Sequence, residues 1–287
     1  MRLVILDGFT ANPGDIGWEM IEQLTTAEGE KIEIAIYERT TPSETLCHAK
    51  GADMLLTNKV IINDEIMSQL PELKYIGVLA TGYNVVDIQA AQKRGITVTN
   101  IPAYSTASVA QMVMAHLLHI TQQVGPHSQA VREGAWQQST DFCFWNEPLT
   151  ELSGMTMCIV GLGNTGMATA RIAQSLGMQV MAWTRKSKEE LKPMDIQKAE
   201  SMEELFRKAD VLSLHCPLTP ETHHIINASS LSQMKPSTIL INTGRGPLIN
   251  ENDLAEALNE GRIYAAGLDV LEQEPPRNGS PLIGARN

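Results

Sequence analysis

Short apolar runs recur through the first hundred residues, at 3–6, 32–37, 54–57, 75–79 and 96–99. They are rich in Val, Ile and Leu, the pattern of strands covered on both faces of a parallel sheet. Helical patterns lie between several of them, for example over 13–26 and 86–94. This alternation predicts βαβ units. The stretch 105–124 predicts one long helix. Its Val109, Met112, Val113, Ala115, Leu117 and Leu118 leave little polar face, so burial on most sides is expected. An aromatic, irregular segment follows over 134–148. A second alternating set then begins, with strands expected at 155–160, 179–183, 211–215, 238–242 and 265–270 and helices at 164–176, 202–208 and 251–259. The fold class is α/β. The expectation is two Rossmann-like parallel-sheet domains flanking a cleft, one flavodoxin-like over 1–100 and one doubly wound over 101–281.

A length of 287 residues suits two domains, and 43% hydrophobic with 19% charged residues is ordinary for a globular chain. The net charge of −11 argues against a nucleic-acid partner. Four cysteines, none in a CxxC pair, suggest no metal site and fit a reducing cytoplasm. The N-terminal apolar run stops after four residues, which reads as a strand rather than a signal peptide. No apolar run of about 18 residues occurs, so no membrane span is expected.

The most specific motif is Gly161-Leu162-Gly163-Asn164-Thr165-Gly166. It follows an expected strand and opens an expected helix, the context in which GxGxxG binds a dinucleotide. Gly161 permits the tight turn, Gly163 the approach of a pyrophosphate, and Gly166 close helix–strand packing. Amides at the helix start, from Asn164 and Thr165 onward, then meet the phosphate charge. The domain over 101–281 is therefore expected to bind NAD(P), leaving 1–100 for the substrate. An NAD-selective site ends its second strand on a carboxylate. Here that strand runs into Thr184, Arg185 and Lys186, with Lys188 beyond. Cations there suit a 2′-phosphate, so NADP is favoured over NAD.

Three further segments each begin at the carboxyl end of an expected strand, where open α/β sheets bind ligands. They are His215-Cys216-Pro217-Leu218-Thr219-Pro220-Glu221-Thr222, then Asn242-Thr243-Gly244-Arg245-Gly246-Pro247, then Asp269-Val270-Leu271-Glu272-Gln273-Glu274-Pro275. With the GxGxxG motif, and with Ala80-Thr81-Gly82 and Asp141-Phe142-Cys143-Phe144-Trp145, this ordered set resembles the D-isomer-specific 2-hydroxyacid dehydrogenases. Within that family the likeness is greatest to the glycerate dehydrogenase and hydroxypyruvate reductase group. It covers nearly the whole chain.

The resemblance implies hydride transfer between NAD(P)H and a small 2-keto or 2-hydroxy acid, with hydroxypyruvate or glyoxylate giving D-glycerate or glycolate. It makes Arg245 the residue that binds the substrate carboxylate and polarises the keto oxygen, a bidentate task suited to guanidinium. It makes Glu274 the acid that orients a catalytic histidine. Ala80, Thr81 and Gly82 would hold the substrate through their backbone. Thr106, His215, Cys216 and Pro217 would line the cofactor channel. On the same likeness Thr222, Thr243 and Gly244 would also belong to the cofactor site, and Asp269 would contact the nicotinamide amide. The family likeness further implies a homodimer built through the nucleotide domain. His116, His119, His223 and His224 receive no chemistry.

The family's general-acid histidine lies in a Pro-His segment after the Glu-Pro loop, ahead of a final helix that rejoins the first domain. The chain as given stops at Asn287, short of both, and none of its seven histidines takes that position. Two alternatives stand beside the reductase. One is a family member acting on D-lactate or phosphoglycerate. The other is a dinucleotide-sensing scaffold without turnover, which would need neither Arg245 nor Glu274.

Overall fold

Five four-residue strands, β1 (Arg2–Ile5), β2 (Glu33–Ile36), β3 (Met54–Thr57), β4 (Tyr75–Val78) and β5 (Thr97–Asn100), form an all-parallel sheet in the computed structural model, which describes residues 1–287. Their order is β2-β1-β3-β4-β5, the flavodoxin-like arrangement. They belong to the first of two units, Met1–Tyr104, whose core gathers Val4, Leu6, Leu55, Ile62, Ile76 and Val78. The expected helix over 13–26 is not formed as such. Helix is confined to Gly8–Ala11 and Glu19–Glu22, and the latter buries no residue. Pro13, Gly14 and Gly17 interrupt the pattern, and Gly14 sits at φ 109°, outside helical space.

The second unit, Ser105–Asn287, carries a six-stranded parallel sheet. Its strands are β6 (Thr156–Val160), β7 (Gln179–Trp183), β8 (Ile196–Lys198), β9 (Val211–Leu214), β10 (Ile239–Asn242) and β11 (Ala265–Leu268). The order β8-β7-β6-β9-β10-β11 is that of a doubly wound dinucleotide fold. Alternate residues feed two separate cores. Cys158, Val160, Leu212, Leu214 and Leu240 face one, and Met157, Ile159, Val211, Ile239 and Ile241 face the other. Two covered faces are why these strands read as unbroken apolar runs.

The helix Thr106–Gln122 buries only the stripe of Ala110, Val113, Met114, Leu117 and Thr121. The expectation of burial on most sides fails, because Met112 and Leu118 point to solvent at 41% and 39% exposure. The helix ends where Gln123 turns left-handed at φ 47°, and a second helix, Val124–Arg132, follows at once. No helix is long and apolar enough to cross a membrane.

Candidate active site

Strand register builds the site. Val160 pairs with Trp183 on one side and Leu214 on the other; Leu214 pairs with Asn242, and Asn242 with Leu268. The next residue on each strand therefore leaves the sheet in one row: Thr184, Gly161, His215, Thr243 and Asp269. At about 4.8 Å per strand, Thr243 stands roughly 10 Å from Gly161 along that edge. Five chemically distinct loops thus open onto one side of one sheet.

The turn after β6 is shaped by its glycines. Gly161 sits at φ 92°, and a Cβ there would lie 2.7 Å from the Cys216 amide nitrogen and 2.8 Å from the His215 carbonyl oxygen. A Cβ on Gly166 would stand 2.2 Å from the Gly161 carbonyl oxygen, so only glycine lets the helix Asn164–Ser175 start so close to β6. Gly163 differs: a Cβ there would meet no heavy atom within 4 Å. It is the N-cap of that twelve-residue helix, with no side chain capping the first-turn amides. An uncapped helix start with open space before it is a ready anion site. The residues present therefore fit a dinucleotide pyrophosphate.

After β7, the Thr184 hydroxyl accepts from the Lys186 amide at 3.2 Å, which turns the chain and leaves Arg185 exposed. The Lys186 carbonyl accepts from Lys198 Nζ at 2.6 Å. Ser187 caps the short helix Lys188–Leu191 in a capping box with Glu190, and Lys188 pairs with Glu200. Of the cations after this strand, Lys188 is thus engaged elsewhere while Arg185 stands free in solvent.

The turn after β10 is held by a buried side chain. Asn242 Oδ1 accepts from the Gly244 amide at 3.0 Å, and its Nδ2 donates to the Arg245 carbonyl at 2.9 Å. This fixes the backbone of the exposed Arg245, whose guanidinium donates to the Gly244 carbonyl at 2.8 Å. Thr243 Oγ1 is buried and has no hydrogen-bond partner. Such an orphan costs about 1–3 kcal/mol unless something outside the protein completes it. It therefore marks a place where a ligand's polar group fits.

The Glu-Pro loop packs on this turn. A Cβ on Gly246 would fall 1.8 Å from the Leu271 carbonyl oxygen, so glycine is what admits the loop. Glu274 is exposed, and its Oε1 accepts from the Leu271 amide at 3.0 Å. Glu251, buried at the head of the helix Glu251–Asn259, accepts from the Glu272 amide at 2.6 Å and from the Ser280 hydroxyl at 2.5 Å. Asp269 is exposed, and its amide donates to the Asn242 carbonyl at 3.0 Å.

Along the same edge, His215 Nε2 shares a 2.9 Å hydrogen bond with the Ser213 hydroxyl. Burial lowers its pKa to about 4, so the ring is neutral at ordinary pH. Burial also raises the Cys216 thiol to about 11. Pro217 is exposed beside them. The Thr222 hydroxyl is satisfied inside its own loop, donating to the Pro217 carbonyl at 2.7 Å and accepting from the Thr219 amide at 2.8 Å. It shapes that loop.

Thr106 is half-buried at the start of its helix. In the first unit, Ala80, Thr81 and Gly82 follow the end of β4. The Ala80 carbonyl accepts from the Ile101 amide, and the Thr81 carbonyl from Asn100 Nδ2 at 2.8 Å.

Sequence reasoning gave no role to Asn242, Gly246 or Glu251. A glycine and a proline straight after Arg245 hinted at a constrained turn. Glu251 carries no such signal, since an acid in a helix's first turn is commonplace.

Two family models match. One, described as D-isomer specific 2-hydroxyacid dehydrogenase, NAD binding domain, covers residues 114–287; the other, the catalytic domain of the same description, covers residues 11–195. The chain is 45% identical over 290 residues to a hydroxypyruvate reductase of Blautia hydrogenotrophica, spanning 100% of this chain and 88% of that one. It is 40% identical to a glycerate dehydrogenase of Methylorubrum extorquens over 87% of this chain and 77% of that one. Among solved structures, the TT0316 protein of Thermus thermophilus superimposes with a TM-score of 0.82 at 33% identity, covering 99% of this chain and 86% of that one.

Proposed function

The chain belongs to the D-isomer-specific 2-hydroxyacid dehydrogenase family, and from that premise we propose an NADPH-dependent reductase that converts hydroxypyruvate to D-glycerate and glyoxylate to glycolate. The observation that carries this reading is the shared sheet edge in the second unit. It presents an uncapped helix start after Gly161 and Gly163 and, two strands away, the turn that holds Arg245.

A nicotinamide dinucleotide supplies the hydride when bound; the protein's part is to hold, orient and polarise. Residues 161–166 would carry the pyrophosphate on the amides of Asn164 and Thr165. The unpaired Thr243 hydroxyl and the exposed Asp269 carboxylate would bond the polar groups further along the cofactor. Gly244, His215, Cys216 and Pro217 would form the wall, with Thr222 bracing its loop and Thr106 contributing from its helix start. Arg185 and Lys186 would pair with a 2′-phosphate, while Thr184 leaves no carboxylate to repel it. This supports NADP over NAD.

Arg245 would bind the substrate's carboxylate and keto oxygen, stabilising charge as it grows on that oxygen. The amides of Ala80, Thr81 and Gly82 would take carboxylate oxygens. The family likeness assigns the proton to a histidine following the Glu-Pro loop. Glu274 would orient that ring and stabilise its charged form. We also propose a homodimer through the second unit. The exposed Met112, Leu118, Val124, Val131, Trp136 and Phe142 all fall within residues 112–142 of it, apolar surface that a second copy would cover.

The test is NADPH oxidation by the purified protein with hydroxypyruvate, glyoxylate, pyruvate and 3-phosphohydroxypyruvate. Turnover should be highest with the first two and fall at least about 10²-fold in Arg245→Ala. Tight NADPH binding with no turnover of any acid would leave only a dinucleotide-sensing scaffold.

A further inference from the structure

Three metal-ligating side chains meet where the 219–224 and 269–275 loops border the turn after Arg245: His223, His224 and Glu272. Each offers one ligand atom, and the three atoms lie within 4.8 Å of one another. Adjacent side chains normally diverge. Here His224 adopts φ 49°, which brings the two imidazoles to 3.9 Å between centroids. His224 Nε2 is already 2.9 Å from Glu272 Oε1.

All three backbones are tied in place. The His223 amide donates to the Thr219 carbonyl and the His224 amide to the Pro247 carbonyl, both at 2.9 Å. The Glu272 amide donates to Glu251 at 2.6 Å. Glu274, on the same loop, is turned to the Leu271 amide and lies outside the set.

We propose that His223, His224 and Glu272 form a binding site for a zinc ion, with water completing the coordination. Two imidazole nitrogens and one carboxylate oxygen make a donor set that suits zinc and disfavours calcium or magnesium. Tetrahedral ligands at about 2.0–2.2 Å from zinc stand roughly 3.4 Å apart. From separations within 4.8 Å, the ligand atoms would close by at most about 1.4 Å. His223 and Glu272 are exposed, so side-chain rotation alone can supply that movement. Metal on Nε2 of His224 would leave its ring proton on Nδ1 and replace the present hydrogen bond to Glu272. One ion would then bridge loops 48 residues apart in sequence and stiffen the segment from which Glu274 projects.

The experiment uses the untagged, chelator-treated full chain, titrated with zinc chloride by calorimetry and with cobalt(II) by visible absorption. One ion per chain should bind with Kd of about 10 µM or tighter, and cobalt should develop the d–d bands of a low-coordinate site. His223→Ala and Glu272→Ala should each weaken binding at least tenfold, while His127→Ala, outside the cluster on the helix Val124–Arg132, should not. His223 is exposed, so its variant is expected to fold; circular dichroism checks this. With zinc, amide exchange at Leu271 and Glu272 should slow. No saturable binding up to about 100 µM, or full-affinity binding retained by the double variant, would overturn the proposal. The readout needs no turnover and stands whether or not the reductase assignment does.

Discussion

Replacing Gly163 by Ala separates ligand binding from folding. A methyl there meets no heavy atom within 4 Å, and Gly163 sits at φ −77°, ψ −162°, open to any residue. Removing a glycine's freedom from the unfolded chain stabilises by about 0.4–1 kcal/mol. Alanine is a poorer N-cap than glycine by a similar amount. The two offset, so Tm of the unliganded protein should move by no more than about 2 °C. NADPH affinity should not survive so well. The added methyl stands where the pyrophosphate would approach the Asn164 and Thr165 amides. Losing one charge-assisted hydrogen bond costs about 1.5–3 kcal/mol, or about 10- to 150-fold in Kd. Gly166→Ala is the contrasting variant. Its Cβ would lie 2.2 Å from the Gly161 carbonyl oxygen and 3.3 Å from Ile159 Cγ2. Overpacking of that kind costs about 1–3 kcal/mol, lowering Tm by roughly 2–12 °C. Differential scanning fluorimetry and nucleotide-fluorescence titration measure both quantities. A Gly163→Ala protein with unchanged Tm and wild-type NADPH affinity would refute the placement of the pyrophosphate on this helix.

Arg185→Ala should raise the KM for NADPH about tenfold or more and leave that for NADH within about twofold; steady-state kinetics with both coenzymes decide it. His215 is held neutral with a pKa of about 4 against an ordinary 6.5. The unfolded chain therefore binds the extra proton first, and stability falls as pH drops from 6.5 towards 4. His215→Gln should flatten that limb in urea denaturation followed across the same range. Burial lifts the Cys158 thiol to about 12 and Cys216 to about 11. Iodoacetamide on the native protein should thus modify the exposed Cys47 first and spare those two, as peptide mapping by mass spectrometry would reveal.

The sheets were legible from the chain because their chemistry is local. Runs such as Met157, Cys158, Ile159 and Val160 announce a strand buried on both faces, and the loops after them carry the polar chemistry. Very short elements were not legible. The helices Thr45–Ala49 and Asp64–Ser68 span barely more than a turn, too little for a 3.6-residue period to register. The strand β8 reads Ile-Gln-Lys, a sheet-edge sequence with only Ile196 buried. Over 13–26, scattered apolar residues imitated a helix that Pro13, Gly14 and Gly17 break. In the candidate site, the residues proposed to meet a ligand announce themselves as glycines and an Arg at strand ends and a Glu in the loop beyond β11. Those that position them do not. Asn242 acts only through the backbone of its neighbours Gly244 and Arg245, and His224 meets Glu272 across 48 residues.

The buried carboxylate of Glu251 has a practical corollary. It fastens the main chain at Glu272 and the hydroxyl of Ser280 to the head of the helix Glu251–Asn259. That helix is thus the foundation on which the Glu-Pro loop rests. Anyone lengthening, shortening or grafting that loop would have to carry this anchoring carboxylate along. Without it, the transplanted segment would arrive with the right residues at the wrong height.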